Sequence, residues 1–113
     1  MNKYYENTQE GIYTSIASGE HLFSSKDKFD SGTGWPSFTK PLKDAPVKET
    51  TDYTAGMLRT EVSCSTDTVH LGHVFGDGPS AEGGKRYCIN SASMLFIPKK
   101  ELSEDDKIKY GFN

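Results

Sequence analysis

GMLRTEVSCSTDTVHLGHVFGDGPSAEGG, residues Gly56 to Gly84, is the stretch that decides the fold class. Polar and apolar residues alternate around Leu58 to Cys64, as in a half-buried strand. A second strand follows around His70 to Phe75, and a long Gly/Pro turn closes the stretch. Working outward, KRYCINSASMLFIP (Lys85 to Pro98) reads as a further strand pair or one bent strand, ended by Pro98. Upstream, GIYTSIASGEHLFSS reads as two short strands around the turn Ser18-Gly19-Glu20. DKFDSGTGWPSFTKP is a loop of small residues, and DAPVKETTDYT alternates loosely, with Pro46 pushing it toward a sheet edge. Only KKELSEDDKIKYG looks helical, with Leu102, Ile108 and Tyr110 as its apolar face. The sum predicts a mainly β, mostly antiparallel single domain spanning residues 1–113, with little helix and no internal repeat.

Composition narrows the function classes. The chain has 113 residues, 34% of them hydrophobic, with 11 glycines and 5 prolines, which suits one turn-rich domain of short elements. A net charge of -3 argues against nucleic-acid binding, which needs a clustered positive field. No apolar run approaches the ~20 residues of a membrane-spanning helix, and the first residues carry no signal-type stretch. A cytoplasmic location is therefore expected. In that reducing compartment the two cysteines are not expected to form a permanent disulfide.

Three stretches could carry chemistry. In GTGWPSF, Gly32 to Phe38, two glycines precede a Trp-Pro pair and could hold the Trp35 indole at the surface, or Trp35 could simply cap the core. In HLGHVFGDGP, a regular strand would point His70 and His73 to opposite sides; a bulge at Gly72 would bring them together. The pair suggests a metal, but no third ligand stands at a recognisable spacing. In RYCINS, Arg86, Cys88 and Asn90 share one face of a strand. A thiolate is stabilised by nearby positive charge, so Cys88 could be a nucleophile; as a free cysteine it could equally be a small core residue.

The blocks KFDSGTGWPSF, RTEV, HLGHVFGDGP and RYCINSASMLF stand in the order and spacing of the methionine-R-sulfoxide reductases, the MsrB family, which the chain resembles from about Gly11 to Pro98. The resemblance implies a small domain of two antiparallel sheets that returns the R epimer of methionine sulfoxide, mainly in oxidised proteins, to methionine. It implies that Cys88 is the nucleophile and ends as a sulfenic acid. It also implies that Trp35 packs against the substrate S-methyl group and that His70 and His73 orient and protonate the sulfoxide. Asp77 is expected to orient a histidine or Arg86, Arg86 to favour the thiolate, Asn90 to fix polar atoms or water, and Phe75 to wall the pocket or pack in the core. The rival from another class is a non-catalytic binding module on the same scaffold.

Three departures accompany the match. Many relatives carry a second, recycling cysteine just before GWPSF, where this chain has Thr33. Zinc-containing relatives carry two CxxC pairs; here those positions hold Ser15, Ser18, Cys64 and Asp67, which predicts no metal. Cys64 is then either inert or a possible resolving thiol, the alternative being direct reduction of Cys88 by an external thiol such as thioredoxin or glutathione. No cofactor is expected. Relatives commonly have an extra segment before GIY; the chain is expected to be a naturally short form or a module separated from a fusion with the S-epimer reductase.

Overall fold

The computed structural model describes residues 2–54 and 56–113 and folds them into two antiparallel sheets. The smaller sheet has the order β2-β1-β9, from β1 (Gly11–Ser15), β2 (His21–Ser24) and β9 (Met94–Pro98). The larger has the order β3-β4-β8-β7-β6-β5. Its strands are β3 (Lys28–Phe29), β4 (Ser37–Phe38), β5 (Val47–Thr54), β6 (Met57–Cys64), β7 (His70–Phe75) and β8 (Arg86–Ile89). The strands expected at Leu58 to Cys64 and His70 to Phe75 are neighbours, and β5, the strand that follows Pro46, lies at the sheet edge. No helix among the described residues is long and apolar enough to cross a membrane.

RYCINSASMLFIP resolves into two strands that belong to different sheets. β8 runs in the larger sheet, a short 3-10 turn over Ser91–Ser93 redirects the chain, and β9 pairs with β1 in the smaller one. The turn is held by local hydrogen bonds, since the Asn90 side chain accepts from the Ala92 N–H.

The core fills the space between the sheets. Tyr13 and Phe23 from the smaller sheet meet Phe38, Tyr87, Ile89, Leu71 and Val62 from the larger. Phe23 and Phe38 stack with ring centroids 4.6 Å apart, and Tyr13 meets Phe38 edge-on at 5.1 Å. Burial pushes the Tyr13 hydroxyl pKa up to about 12, while an amide N–H of Asn7 donates to its oxygen.

The C-terminal segment differs from its expected form. The α-helix α1 covers only Glu104–Tyr110, capped by the Ser103 hydroxyl, which accepts from the Asp106 N–H, and by Gly111 in the left-handed region. Leu102 precedes the helix and packs with Ile12 and Phe112, whereas Ile108 is 62% exposed. The expected face therefore breaks up: Ser103 starts the seven-residue helix after Leu102, so Leu102 lies outside it and Ile108 faces solvent.

Candidate active site

Apart from Cys64, the chemically distinctive residues of the larger sheet lie on the face turned away from the core. Side chains alternate along a strand and cross-strand partners share a face. In β8, Tyr87 and Ile89 are buried, so Arg86 and Cys88 point the other way. The register then lines up Ser37, Cys88, His73 and Glu61 across β4, β8, β7 and β6. Phe75 pairs with Arg86, and Arg59 with Asp52.

His70 joins this face through a bulge. Val62 pairs with Gly72 but Ser63 pairs with His70, so β7 carries one extra residue, Leu71, against β6. Leu71 is consumed in the core, and the imidazoles of His70 and His73 end with ring centroids 5.4 Å apart. Gly72 permits this because β7 runs very close to β8 there. A Cβ at Gly72 would lie 2.0 Å from the Cys88 carbonyl oxygen.

Each histidine is backed by a carboxylate. Nδ1 of His70 donates to Glu61 Oε2 at 2.6 Å, which leaves Nε2 as the free ring atom. Nε2 of His73 lies 3.3 Å from Asp52 Oδ2. Asp77 joins Arg86, not a histidine: the guanidinium donates through Nε (2.8 Å) and Nη2 (3.2 Å) to its two oxygens. Arg86 also lies over the Phe75 ring, 4.5 Å from the centroid. This double hydrogen bond holds the Asp77 carboxyl below its usual range.

Trp35 is presented by a loop rather than a regular element. Gly32 and Gly34 both adopt positive φ, 73° and 86°, which a side chain would resist. The Thr33 hydroxyl accepts from the Trp35 N–H, and Pro36, fully buried, accepts from the Ile89 N–H at 3.0 Å. The backbone next to Trp35 is thus tied to the strand that carries Cys88, and the indole, 38% exposed, does not cap the core.

Thr33, Trp35, Arg59, His70, Gly72, His73, Phe75, Arg86, Cys88 and Asn90 together line a cavity of about 450 Å³. A larger one, about 510 Å³ between Tyr5–Gln9 and Lys28–Asp30, is lined by no cysteine or histidine. The cavity thus gathers Trp35, His70, His73, Phe75, Arg86, Cys88 and Asn90, with Asp77 behind Arg86. Asn90 reaches it with its carbonyl oxygen already committed to the Ala92 N–H, so its amide N–H groups are what it can offer. Sequence reasoning missed Glu61, Asp52 and Arg59. The RTEV block contained two of them, but their place depends on register.

The electrostatics of Cys88 set the attraction of Arg86 against burial. Burial pushes the thiol up, and the attraction and hydrogen bond of Arg86 offset this only in part, so the resting group is a thiol. The thiolate fraction should therefore rise about tenfold per pH unit from neutrality, with no plateau until pH exceeds the ordinary thiol range. Iodoacetamide alkylation of Cys88, followed by mass spectrometry, is expected to accelerate in that way. A rate that levels off near neutral pH would contradict the raised pKa.

Cys64 stands apart. It is fully buried in the core, on the same side of β6 as Val62 and thus opposite the cavity. β7 lies between β6 and β8, and Cys88 is level with Glu61, three residues from Cys64. Strand spacing and rise put the two Cα atoms roughly 14 Å apart, against the limit of about 7 Å for a disulfide. Cys64 is therefore not placed to resolve a sulfenic acid on Cys88.

It belongs instead to a polar cluster that ties the two sheets together. The Ser15 hydroxyl donates to Asp67, whose other oxygen accepts from the Val69 N–H at 3.0 Å. Hydrogen bonds from Ser15, Ser18 and the Val69 N–H, with a smaller one from Cys64, hold the Asp67 carboxyl far below its usual range. Two hydroxyls, one carboxylate and one thiol are a poor set for tetrahedral zinc, which takes thiolates and imidazoles. Among the described residues no group of three or more His, Cys, Asp or Glu is placed to hold a metal ion.

A cysteine set beside an arginine, two carboxylate-backed histidines and an indole is an arrangement for thiol chemistry on a small, partly apolar group. The family model described as the SelR domain matches residues 1–98 of the 113. The chain belongs to that family, the methionine-R-sulfoxide reductases, oxidoreductases of the MsrB type.

Proposed function

We propose that this domain reduces methionine-R-sulfoxide in oxidised proteins through a sulfenic acid on Cys88. The observation that carries the reading is the single cavity shared by Cys88, His70, His73, Arg86 and Trp35. The substrate S-methyl group packs on the Trp35 indole, and the sulfoxide oxygen meets His70. The Cys88 sulfur attacks the sulfoxide sulfur, and the oxygen passes to Cys88 as the S–O bond to methionine breaks. Methionine sulfur gains the two electrons that the cysteine sulfur loses.

Protons balance within the site. The thiol proton of Cys88 leaves as sulfur attacks, and one proton ends on the oxygen of the sulfenic acid. His70 is the carrier this needs, because Glu61 fixes its Nδ1–H and leaves Nε2 to take and give the proton. Developing negative charge on the oxygen is met by that proton and by the Arg86 guanidinium, aligned by Asp77. Asp52 holds the His73 ring in the same way as Glu61 holds that of His70.

The sulfenic acid is then reduced by an external thiol such as thioredoxin. Two thiols enter, and a disulfide and water leave as Cys88 returns to the thiol. The placement of Cys64 supports this direct route over an internal disulfide. Cys64→Ala is accordingly expected to leave the ratio of thioredoxin-driven to dithiothreitol-driven turnover within about twofold of the parent, since its cost is a small core void. Loss of the thioredoxin-driven rate alone would put Cys64 back into the cycle. The test of the whole reading is turnover of the separated R and S epimers with dithiothreitol. Consumption of R alone supports it, and an untouched R epimer would leave the binding-module alternative.

A further inference from the structure

The reductase reading above accounts for Arg86 but leaves a second guanidinium on the cavity wall unused. Arg59 projects from β6 on the same face as Glu61, and it lines the cavity with Trp35, His73 and Cys88. The charged side chains lining this cavity, Arg59 and Arg86, are both cationic, although the chain as a whole carries a net charge of -3. The neighbouring carboxylates Asp52, Glu61 and Asp77 do not line it, and each is engaged by a histidine or Arg86.

The two arginines differ in how far they are committed. Arg86 donates through two nitrogens to Asp77 and lies over Phe75. Arg59 comes no nearer to Asp52 than 4.0 Å, and its Nε–H is enclosed without an acceptor among the described residues. The stem is thus packed while the end of the fork keeps donors to offer, and its side chain is 34% exposed. A guanidinium in this state has a planar array of donors matched to a carboxylate.

We propose that Arg59 is a carboxylate-binding arm of the active site, so that the enzyme prefers methionine-R-sulfoxide that carries a carboxylate next to the sulfoxide side chain. Arg59 and Cys88 lie two strands apart and two residues out of level, roughly 12 Å between Cα atoms. An extended arginine and the methionine side chain together span that gap. The carboxylate is either the α-carboxylate of a free or C-terminal methionine sulfoxide or the side chain of an adjacent acidic residue. The chemistry at Arg59 is the same for both.

Three R-sulfoxide substrates separate the cases. These are N-acetylmethionine sulfoxide with its free carboxylate, its neutral N-methylamide, and an end-blocked dipeptide in which glutamate follows the sulfoxide. The parent enzyme is expected to favour at least one acid over the amide by roughly tenfold in kcat/KM, mainly through KM. Whichever acid shows the preference identifies the source of the carboxylate. Arg59→Gln is expected to bring that ratio close to one, and Arg59→Lys to restore part of it. No preference in the parent, or a preference that survives Arg59→Gln, overturns the proposal. The same ligands titrated calorimetrically into Cys88→Ser protein give the affinity ratio without turnover. A ratio near one there also overturns it, whereas a retained ratio together with no turnover by the parent enzyme would fault the reductase reading alone.

Discussion

Cys88→Ser is expected to reduce R-sulfoxide turnover by roughly three orders of magnitude or more, to the background of the assay, while the fold stays intact. A hydroxyl is close to isosteric with the thiol, and Cys88 is only half-buried on the cavity side of β8, so the replacement costs little packing. Chemically it removes the group that must be oxidised. Serine oxygen cannot accept the sulfoxide oxygen and return to its starting state by thiol exchange. Matching circular dichroism and melting curves, alongside the lost rate, would complete the result. Full activity in the serine protein would move the nucleophile elsewhere, and Cys64, sealed in the core, is a poor candidate.

Gly72→Ala is expected to have the largest effect on the fold of any single methyl group added to this sheet. The new Cβ would meet the Cys88 carbonyl oxygen at 2.0 Å and the Cys88 carbonyl carbon and Ile89 Cα at 3.0 Å, all of them backbone atoms of β8. No rotamer change relieves a clash with backbone, so β7 must separate from β8 or the bulge at Leu71 must rearrange. Overpacking of this kind costs about 3 kcal/mol or more. For a domain of this size that corresponds to roughly 10 °C or more in Tm. The same displacement pulls His70 and His73 away from Cys88, so activity should fall further than stability alone explains. An alanine variant that melts within a few degrees of the parent would show that the two strands do not approach so closely in solution.

The strands themselves were legible because alternation and turn residues report directly on local geometry. Leu58 to Cys64 and His70 to Phe75 became β6 and β7 with little change in their limits. Register was not legible. Nothing in RTEV states that Glu61 will pair with His73 on the adjacent strand, because a one-residue slip would send it to the core side. For that reason Glu61, Asp52 and Arg59 emerged only from the pairing, as did the separation of Cys64 from Cys88. The histidine pair lay between these extremes: Gly72 signalled that a bulge was possible, but only the pairing of Ser63 with His70 places it. The resting protonation of Cys88 was not legible for a further reason. An arginine two residues away is visible in the sequence, whereas the desolvation that outweighs it depends on everything packed around the sulfur.

The handover of the chain from β8 to β9 has a mechanical meaning. Cys88 sits two residues before the turn at which the backbone leaves one sheet for the other, and Asn90 starts that turn. The N-terminal residues clasp it as well: the Ser91 N–H donates to the Asn2 side chain, and the Ser91 hydroxyl accepts from the Tyr4 N–H. The segment that bears the nucleophile is therefore a seam shared by both halves of the domain, with no freedom to open on its own. Local unfolding would have to part the sheets to reach it, so loss of activity under heat or denaturant should coincide with loss of the whole structure. What moves at such a site is the incoming substrate and reductant, while the sulfur is held as firmly as the core behind it.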